Sequence, residues 1–364
     1  MTLRIGLIGC GHIGNVHAVA LQQLIQAGLV DAVFTATFDT DPERAAKAAR
    51  RYGGEAFPTM EAVLDNVDVA WICTWTAAHL AAVEAAADRG VAVFCEKPLA
   101  PDLATATRVA GALARVPHQV GLVLEWAPVF RRMREAVHNE EFGVPLAAIM
   151  RDDQYFPIQG RYGSTWRRDV AQAGGGTLIE HSIHDIDVLR SIMGEPEAVT
   201  AHTAVRFGHV GIEDTAALMM TYATGAVVQL TSIWHQVLTR ESSRRIEVVC
   251  EKALMWTESD YLGPLFVQTD DGVLTIEGSP PPWIDQITVP EPYTLALAQY
   301  AEPSKAFLDG LVGRDGLGGS DEPGGHAGSN PGHPQAEQAL AAHRLVDRAY
   351  QSAAAGGVSV SVRD

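Results

Sequence analysis

The segment Ile5-Gly-Leu-Ile-Gly9-Cys-Gly11-His-Ile-Gly14 constrains this chain more than any other part of it. A short apolar run opens into G-x-G-x-x-G, and the pattern then turns helical, so a buried strand must turn sharply into the start of a helix. Each glycine has a mechanical reason. Gly9 permits the tight turn, Gly11 lets the main chain approach a pyrophosphate, and Gly14 lets helix and strand pack closely. The helix start then offers an anion its unpaired N–H groups and the positive end of its dipole. A dinucleotide site is expected here, with His12 and Ile13 beside the glycines.

The residues beyond Gly14 agree with that start. Apolar runs at Arg4–Ile8, Ala32–Phe38, Val69–Thr74, Val91–Cys95 and His118–Leu122 alternate with helical spacing over Asn15–Ala27, Pro42–Tyr52, Ala77–Arg89 and Ala104–Arg115. Nearly continuous apolar strands separated by helices predict a parallel sheet covered on both faces. Asp39, 25 residues beyond Gly14, ends the second strand. A carboxylate there accepts hydrogen bonds from the adenosine ribose and repels a 2′-phosphate, which favours NAD over NADP. The competing readings are a cap for the helix starting at Pro42, and a charge offset by Arg44.

After about residue 125 the grammar changes. A helix is expected over Pro128–Asn139, then strands at Leu146–Phe156, Val199–Phe207, Thr215–Tyr222, Ala226–Trp234 and Arg245–Cys250, with Thr224-Gly225 marking a hairpin. Gly313–Pro334 reads as a mobile loop, lid or tether, before a helix over Pro334–Ala355 and a last alternating strand. The expectation is therefore an α/β Rossmann domain over 1–124, then an α+β domain over 125–364 with a large, mostly antiparallel open-faced sheet.

The formal charge of −17 repels phosphate backbones and anionic membranes, so neither nucleic acid nor a membrane surface is an expected partner. No run reaches about 18 apolar residues, and no cleavage pattern comes after the first strand. The four cysteines show no paired spacing. Buried free thiols in a reducing cytoplasm are expected.

The fourth strand ends in Cys95-Glu96-Lys97-Pro98-Leu99. With the N-terminal glycines, Thr74-x-Thr76-x-x-His79 and Gly174-Gly-Gly-Thr-Leu-Ile-Glu180-His-Ser-Ile-His184-Asp185, this resembles the glucose-fructose oxidoreductase and inositol dehydrogenase family (Gfo/Idh/MocA) over almost the whole chain. The resemblance implies homodimers or homotetramers paired through the C-terminal sheet. It implies that Lys97 meets the substrate hydroxyl and the nicotinamide end of the cofactor, with Thr74, Thr76, His79 and Glu96 along the cofactor. Glu180 stands where most members have Asp, one methylene shorter, and His184 matches the histidine four residues later. Trp75 stands where Pro is frequent, and His181-Ser182 replaces an apolar-Gly pair.

The residues themselves suggest the same chemistry. A Glu and a His four apart on a helix share a face. Oxidation of a secondary alcohol needs a base for the hydroxyl proton, and imidazole suits that near neutral pH. His184 as base with Lys97 polarising the oxygen, or the reverse, both fit, with Glu180 orienting the base or gripping another hydroxyl. Tyr155, Trp166, Arg167 and His235 are candidate pocket walls, or else ordinary packing. No metal is expected. The implied activity is an NAD-dependent dehydrogenase or reductase for a sugar, inositol or related polyol. An NAD-assisted redox glycosidase and a non-catalytic dinucleotide-dependent regulator are the alternatives.

Overall fold

Strand β1 (Leu3–Ile8) opens a computed structural model that describes residues 2–160, 162–240, 242–288, 297–313 and 332–363. It lies in a parallel sheet with β2 (Ala32–Phe38), β3 (Glu55–Ala56), β4 (Val69–Ile72), β5 (Ala92–Cys95) and β6 (His118–Val120), in the order β3-β2-β1-β4-β5-β6. The strand order reverses between β1 and β4, and open α/β sheets bind ligands beyond the strand ends at such a point. Helices α1 (His12–Gln26), α2 (Pro42–Tyr52), α3 (Met60–Leu64), α4 (His79–Asp88) and α5 (Leu103–Leu113) fill the connections. Their starts obey local chemistry. At α2, Pro42 takes the first turn and the Asp41 side chain accepts the Glu43 N–H at 3.0 Å. Asp41, not Asp39, caps that helix.

The second sheet begins after α6 (Pro128–Val137). It contains β7 (Pro145–Tyr155), β8 (Ala198–Ala204), β9 (Thr215–Thr221), β10 (Val227–His235), β11 (Ser243–Cys250), β12 (Leu254–Thr257), β13 (Leu265–Thr269), β14 (Gly272–Ile276) and β15 (Val360–Ser361). Their order is β14-β13-β12-β11-β7-β10-β9-β8-β15, and among the described residues only the β7–β10 pairing is parallel. Alternation sorts the faces: Ala148, Met150, Leu218, Leu230 and Val248 are buried, while Ile149, Met219 and Val249 are exposed. The covered face carries the short helices α7 (Val170–Ala173) and α8 (Thr177–Glu180) and the longer α9 (Ile183–Met193).

Among the described residues, α10 (Ala298–Leu311) and α11 (Ala336–Ala354) come later. Contacts group the chain into one unit of Met1–Ala100, Ala104–Val123 and Pro281–Ala339, and another of Pro101–Leu103, Leu124–Pro280 and Leu340–Asp364. The expected single break after residue 124 therefore differs from the observed grouping. The reason is α10, whose Ala301, Phe307 and Leu308 join the core of the first sheet with Leu21, Trp71 and Phe94. Most of the expected 313–334 loop, residues 314–331, lies outside the described residues. No helix among the described residues is long and apolar enough to cross a membrane.

Candidate functional site

In the first unit the glycines form a cradle at the end of β1. Gly9 has φ +93°, and a Cβ there would stand 2.6 Å from the Cys73 main chain. A Cβ on Gly14 would stand 2.1 Å from the Gly9 carbonyl oxygen, so helix and strand could not close. A Cβ on Gly11 meets nothing within 4 Å, which leaves the open approach that a pyrophosphate requires. Asn15, which no sequence motif marks, holds this loop: its Nδ2 donates to the carbonyls of Cys10 (2.9 Å) and Gly11 (2.7 Å). Asp39 reaches the same loop, accepting the Cys10 N–H at 2.7 Å and the Asp41 N–H at 2.9 Å. His12 is exposed and Ile13 half-buried at the helix start.

Two strands along the same sheet edge, β5 is followed by Glu96 and Lys97. Glu96 is buried, with Oε1 2.7 Å from His17 Nε2 on α1 and Oε2 accepting the Lys97 N–H at 3.2 Å. Burial alone would raise this carboxyl; the hydrogen bond and charge of His17, with Lys97 and His79, outweigh it and hold it below its ordinary range. His17 is a residue that sequence reasoning missed. Lys97 is half-buried. His79 is 1% exposed, with Nδ1 2.9 Å from the Pro98 carbonyl and Nε2 3.3 Å from the Thr74 carbonyl. It ties the ends of β4 and β5 together from inside the fold. Thr76 is buried beside it, and Thr74 is half-buried.

In the second unit Glu180 ends α8 and His184 stands in the first turn of α9. They do not share one continuous helix, as their spacing had suggested. The chain bends at His181-Ser182, where the Ser182 N–H reaches back to the Thr177 carbonyl at 2.9 Å. Both side chains there are drawn into buried polar contacts, His181 to Asp152 and Ser182 to Ser232. Those contacts replace the helical continuation. The three preceding glycines are places of close approach: Cβ atoms would stand 2.3 Å from the Pro101 carbonyl oxygen at Gly174, 2.4 Å from Tyr350 Oη at Gly175 and 1.8 Å from the Glu213 carbonyl oxygen at Gly176. Glu213, also missed, ends three successive N–H groups at the start of α8. Its side chain accepts those of Gly176 (2.7 Å) and Leu178 (2.9 Å), and its carbonyl accepts that of Thr177 (2.8 Å).

Glu180 is buried, and Arg167 Nε donates to its Oε2 at 3.1 Å. The Arg167 guanidinium lies 4.3 Å from the Trp166 ring centre, and Trp166 packs on the buried group of Phe156, Ile212 and Trp234. Trp166, Arg167 and Glu180 are thus brought together. His184 is 9% exposed. Tyr155 is buried against the Tyr162 ring, 5.4 Å between centres. His235 ends β10, its Nε2 3.5 Å from Asp153 Oδ1 and its Nδ1 accepting the Val237 N–H at 3.1 Å.

Residues 3–122 match the sequence family described as "Oxidoreductase family, NAD-binding Rossmann fold", and residues 130–255 match "GFO/IDH/MocA C-terminal domain". Among curated proteins, an inositol 2-dehydrogenase of Rhizobium meliloti (strain 1021) is 29% identical over 97% of this chain and 98% of its own length. A myo-inositol 2-dehydrogenase of Thermotoga maritima is 30% identical over 71% of this chain and 75% of its own. Among solved structures, a levoglucosan dehydrogenase in complex with NADH and levoglucosan has the same fold, with a TM-score of 0.83, 22% identity and complete coverage of both chains.

Proposed function

The chain belongs to the GFO/IDH/MocA oxidoreductases, and we propose that it is an NAD-dependent dehydrogenase for a secondary hydroxyl of a sugar, inositol or related polyol, or the corresponding ketone reductase. One observation carries the reading. The glycine cradle after β1 and the Glu96-Lys97-Pro98 turn after β5 stand on one edge of one parallel sheet, with only β4 between them. At about 4.8 Å per strand, Lys97 is roughly 10 Å along that edge, within the length of a dinucleotide laid across the switch point.

NAD, when bound, supplies the acceptor for the hydride leaving the carbinol carbon. The chain's own groups do the rest. The Lys97 ammonium polarises the substrate oxygen, and His184 takes the hydroxyl proton. Glu180, held by Arg167, accepts from a neighbouring hydroxyl. The Trp166 indole offers a flat apolar face to C–H groups. Asp39 has one oxygen on the Cys10 N–H of the glycine loop and the other on the Asp41 N–H of its own turn, which holds a carboxylate beside that loop and supports NAD over NADP.

The exposed apolar side chains of Ile149, Met219 and Val249 on the open sheet face support pairing of two copies into a homodimer or homotetramer. Four buried free cysteines fit a reducing cytoplasm. The deciding experiment offers monosaccharides, inositols and anhydrosugars with NAD or NADP and measures reduced nicotinamide. Turnover of a polyol with NAD is expected. Binding of NADH with no turnover across these substrates in either direction would defeat the reading.

A further inference from the structure

Behind the His181-Ser182 bend lies a cluster of charge that the proposed chemistry does not use. Asp152 on β7 and Asp185 on α9 are both fully buried. Asp152 Oδ2 lies 2.6 Å from His181 Nε2 and 3.4 Å from Ser182 Oγ. Asp185 Oδ1 accepts from Arg244 Nε at 2.7 Å. Arg244 Nη2 sits 3.1 Å from His181 Nε2 and 3.5 Å from Asp152 Oδ2, while Nη1 donates to the half-open Asp260 at 3.0 Å. Gln154 Nε2 is 2.8 Å from His181 Nδ1. The remaining oxygens, Asp152 Oδ1 and Asp185 Oδ2, are buried and have no protein donor. Yet both carboxylates meet the one Arg244 guanidinium, Asp185 at Nε and Asp152 at Nη2, which sets them side by side.

A buried acceptor without a donor is costly, and two carboxylates in contact cannot both ionise freely. A single proton between them removes both difficulties at once. We propose that Asp152 and Asp185 share one proton as a structural part of this protein, locking the His181-Ser182 bend and so fixing where Glu180 and His184 stand. The surrounding charges are balanced on that basis. One shared negative charge faces the Arg244 cation, with Asp153 on β7 occupied by Arg240 and Arg151, and Asp260 partly in water. Burial raises both acids; Asp152 raises Asp185 further, while Arg244 and the hydrogen bond from Asp185 hold Asp152 down, so the proton sits mainly on Asp185 and is donated toward Asp152. In this scheme Asp152, Asp185, His181 and Arg244 are positioning residues, and their effect on turnover rests on the function proposed above for Glu180 and His184.

The test is made on the full chain by difference infrared spectroscopy. At about pH 5.5, where ordinary carboxyls are largely ionised, the wild type is expected to show a protonated-carboxyl C=O band that Asp185→Asn abolishes and Asp260→Asn leaves in place. Asp185→Asn puts a permanent N–H toward Asp152 and keeps an oxygen for Arg244, so kcat should fall by less than about threefold. Asp185→Ala offers neither and should lower kcat at least about tenfold, the scale of one lost buried hydrogen bond. Absence of the band, its survival in Asp185→Asn, or equal kcat and KM for the Asn and Ala variants would overturn the proposal. Should Asp185→Ala fail to fold, the infrared comparison still decides. Full activity of His184→Ala would instead count against the functional reading, while the band would be unaffected.

Discussion

Replacing Glu213 with Gln tests how the Glu180 segment is held. Glu213 is 4% exposed, and its two side-chain oxygens serve three donors: Gly176 N, Leu178 N and Tyr350 Oη at 2.9 Å. Burial raises its carboxyl above the ordinary range in spite of the Leu178, Gly176 and Tyr350 hydrogen bonds. The negative charge is therefore a net burden, and the asset is the pair of acceptors. Gln keeps one acceptor. Its better placement leaves the oxygen on Gly176 and turns the NH2 to Tyr350, whose hydroxyl can rotate to accept, so the Leu178 N–H is stranded. A buried unsatisfied amide costs about 1–3 kcal/mol, and relief of the buried charge keeps the total near the lower half of that range. At about 2–4 °C per kcal/mol for a unit of this size, the apparent Tm should drop by roughly 2–8 °C. Because Gly176 already touches the Glu213 main chain, the loop cannot close the gap, and kcat/KM should fall with stability. Thermal melts and steady-state assays of Glu213→Gln beside Tyr350→Phe measure both. A Glu213→Gln protein as stable as wild type would refute the acceptor argument.

Lys97→Met should abolish polyol turnover while NADH binding, measured by fluorescence titration, stays within about threefold of wild type. Asp39→Ala removes the acceptor for Cys10 N and Asp41 N together with the proposed ribose contact, so KM for NAD should rise at least about tenfold while NADP is tolerated relatively better; an unchanged NAD/NADP ratio in the same assay would count against its assignment. Phe307→Ala removes a fully buried ring beside Trp71 and should destabilise the first unit by about 3–5 kcal/mol in denaturant unfolding. The Asp185 carboxyl is pushed up to about 6, by burial first and then by Asp152. Between about pH 4 and 6 the native protein thus holds a proton that the unfolded chain has released, so stability should fall as pH rises through that window, by up to about 3 kcal/mol, and Asp185→Asn should flatten the slope.

The first sheet was legible because strands covered on both faces read as apolar runs. β4 is buried at all four positions, and β2 matches its expected span. The losses were elements too short to show a period, β3 with two residues and α3 with five. On the second sheet, β9 and β10 alternate clearly, whereas β14 has no buried position and gives no alternation to read. Helix α10 escaped because Pro303 interrupts its pattern, although its carbonyl is satisfied by Gln119 at 3.3 Å.

At the site, local grammar picks out the glycines, Lys97, Glu180 and His184 as candidates, and it is silent wherever a side chain finds its partner far along the chain. His17 and Glu96 are 79 residues apart, Arg244 and Asp185 are 59, and Glu213 and Leu178 are 35. No periodicity links such pairs, since only the folded sheet brings them together. Their trace in the sequence is indirect. Gly174, Gly175 and Gly176 are small because Pro101, Tyr350 and Glu213 press against them, so the glycine run records the space that those neighbours occupy without naming them. The bend at His181-Ser182 obeys the same logic in reverse. A helix-compatible spacing between Glu180 and His184 is broken by side chains whose partners, Asp152 and Ser232, belong to strands β7 and β10. Tertiary hydrogen bonds thus override the local helical preference at the place where the two candidate site residues must be set apart.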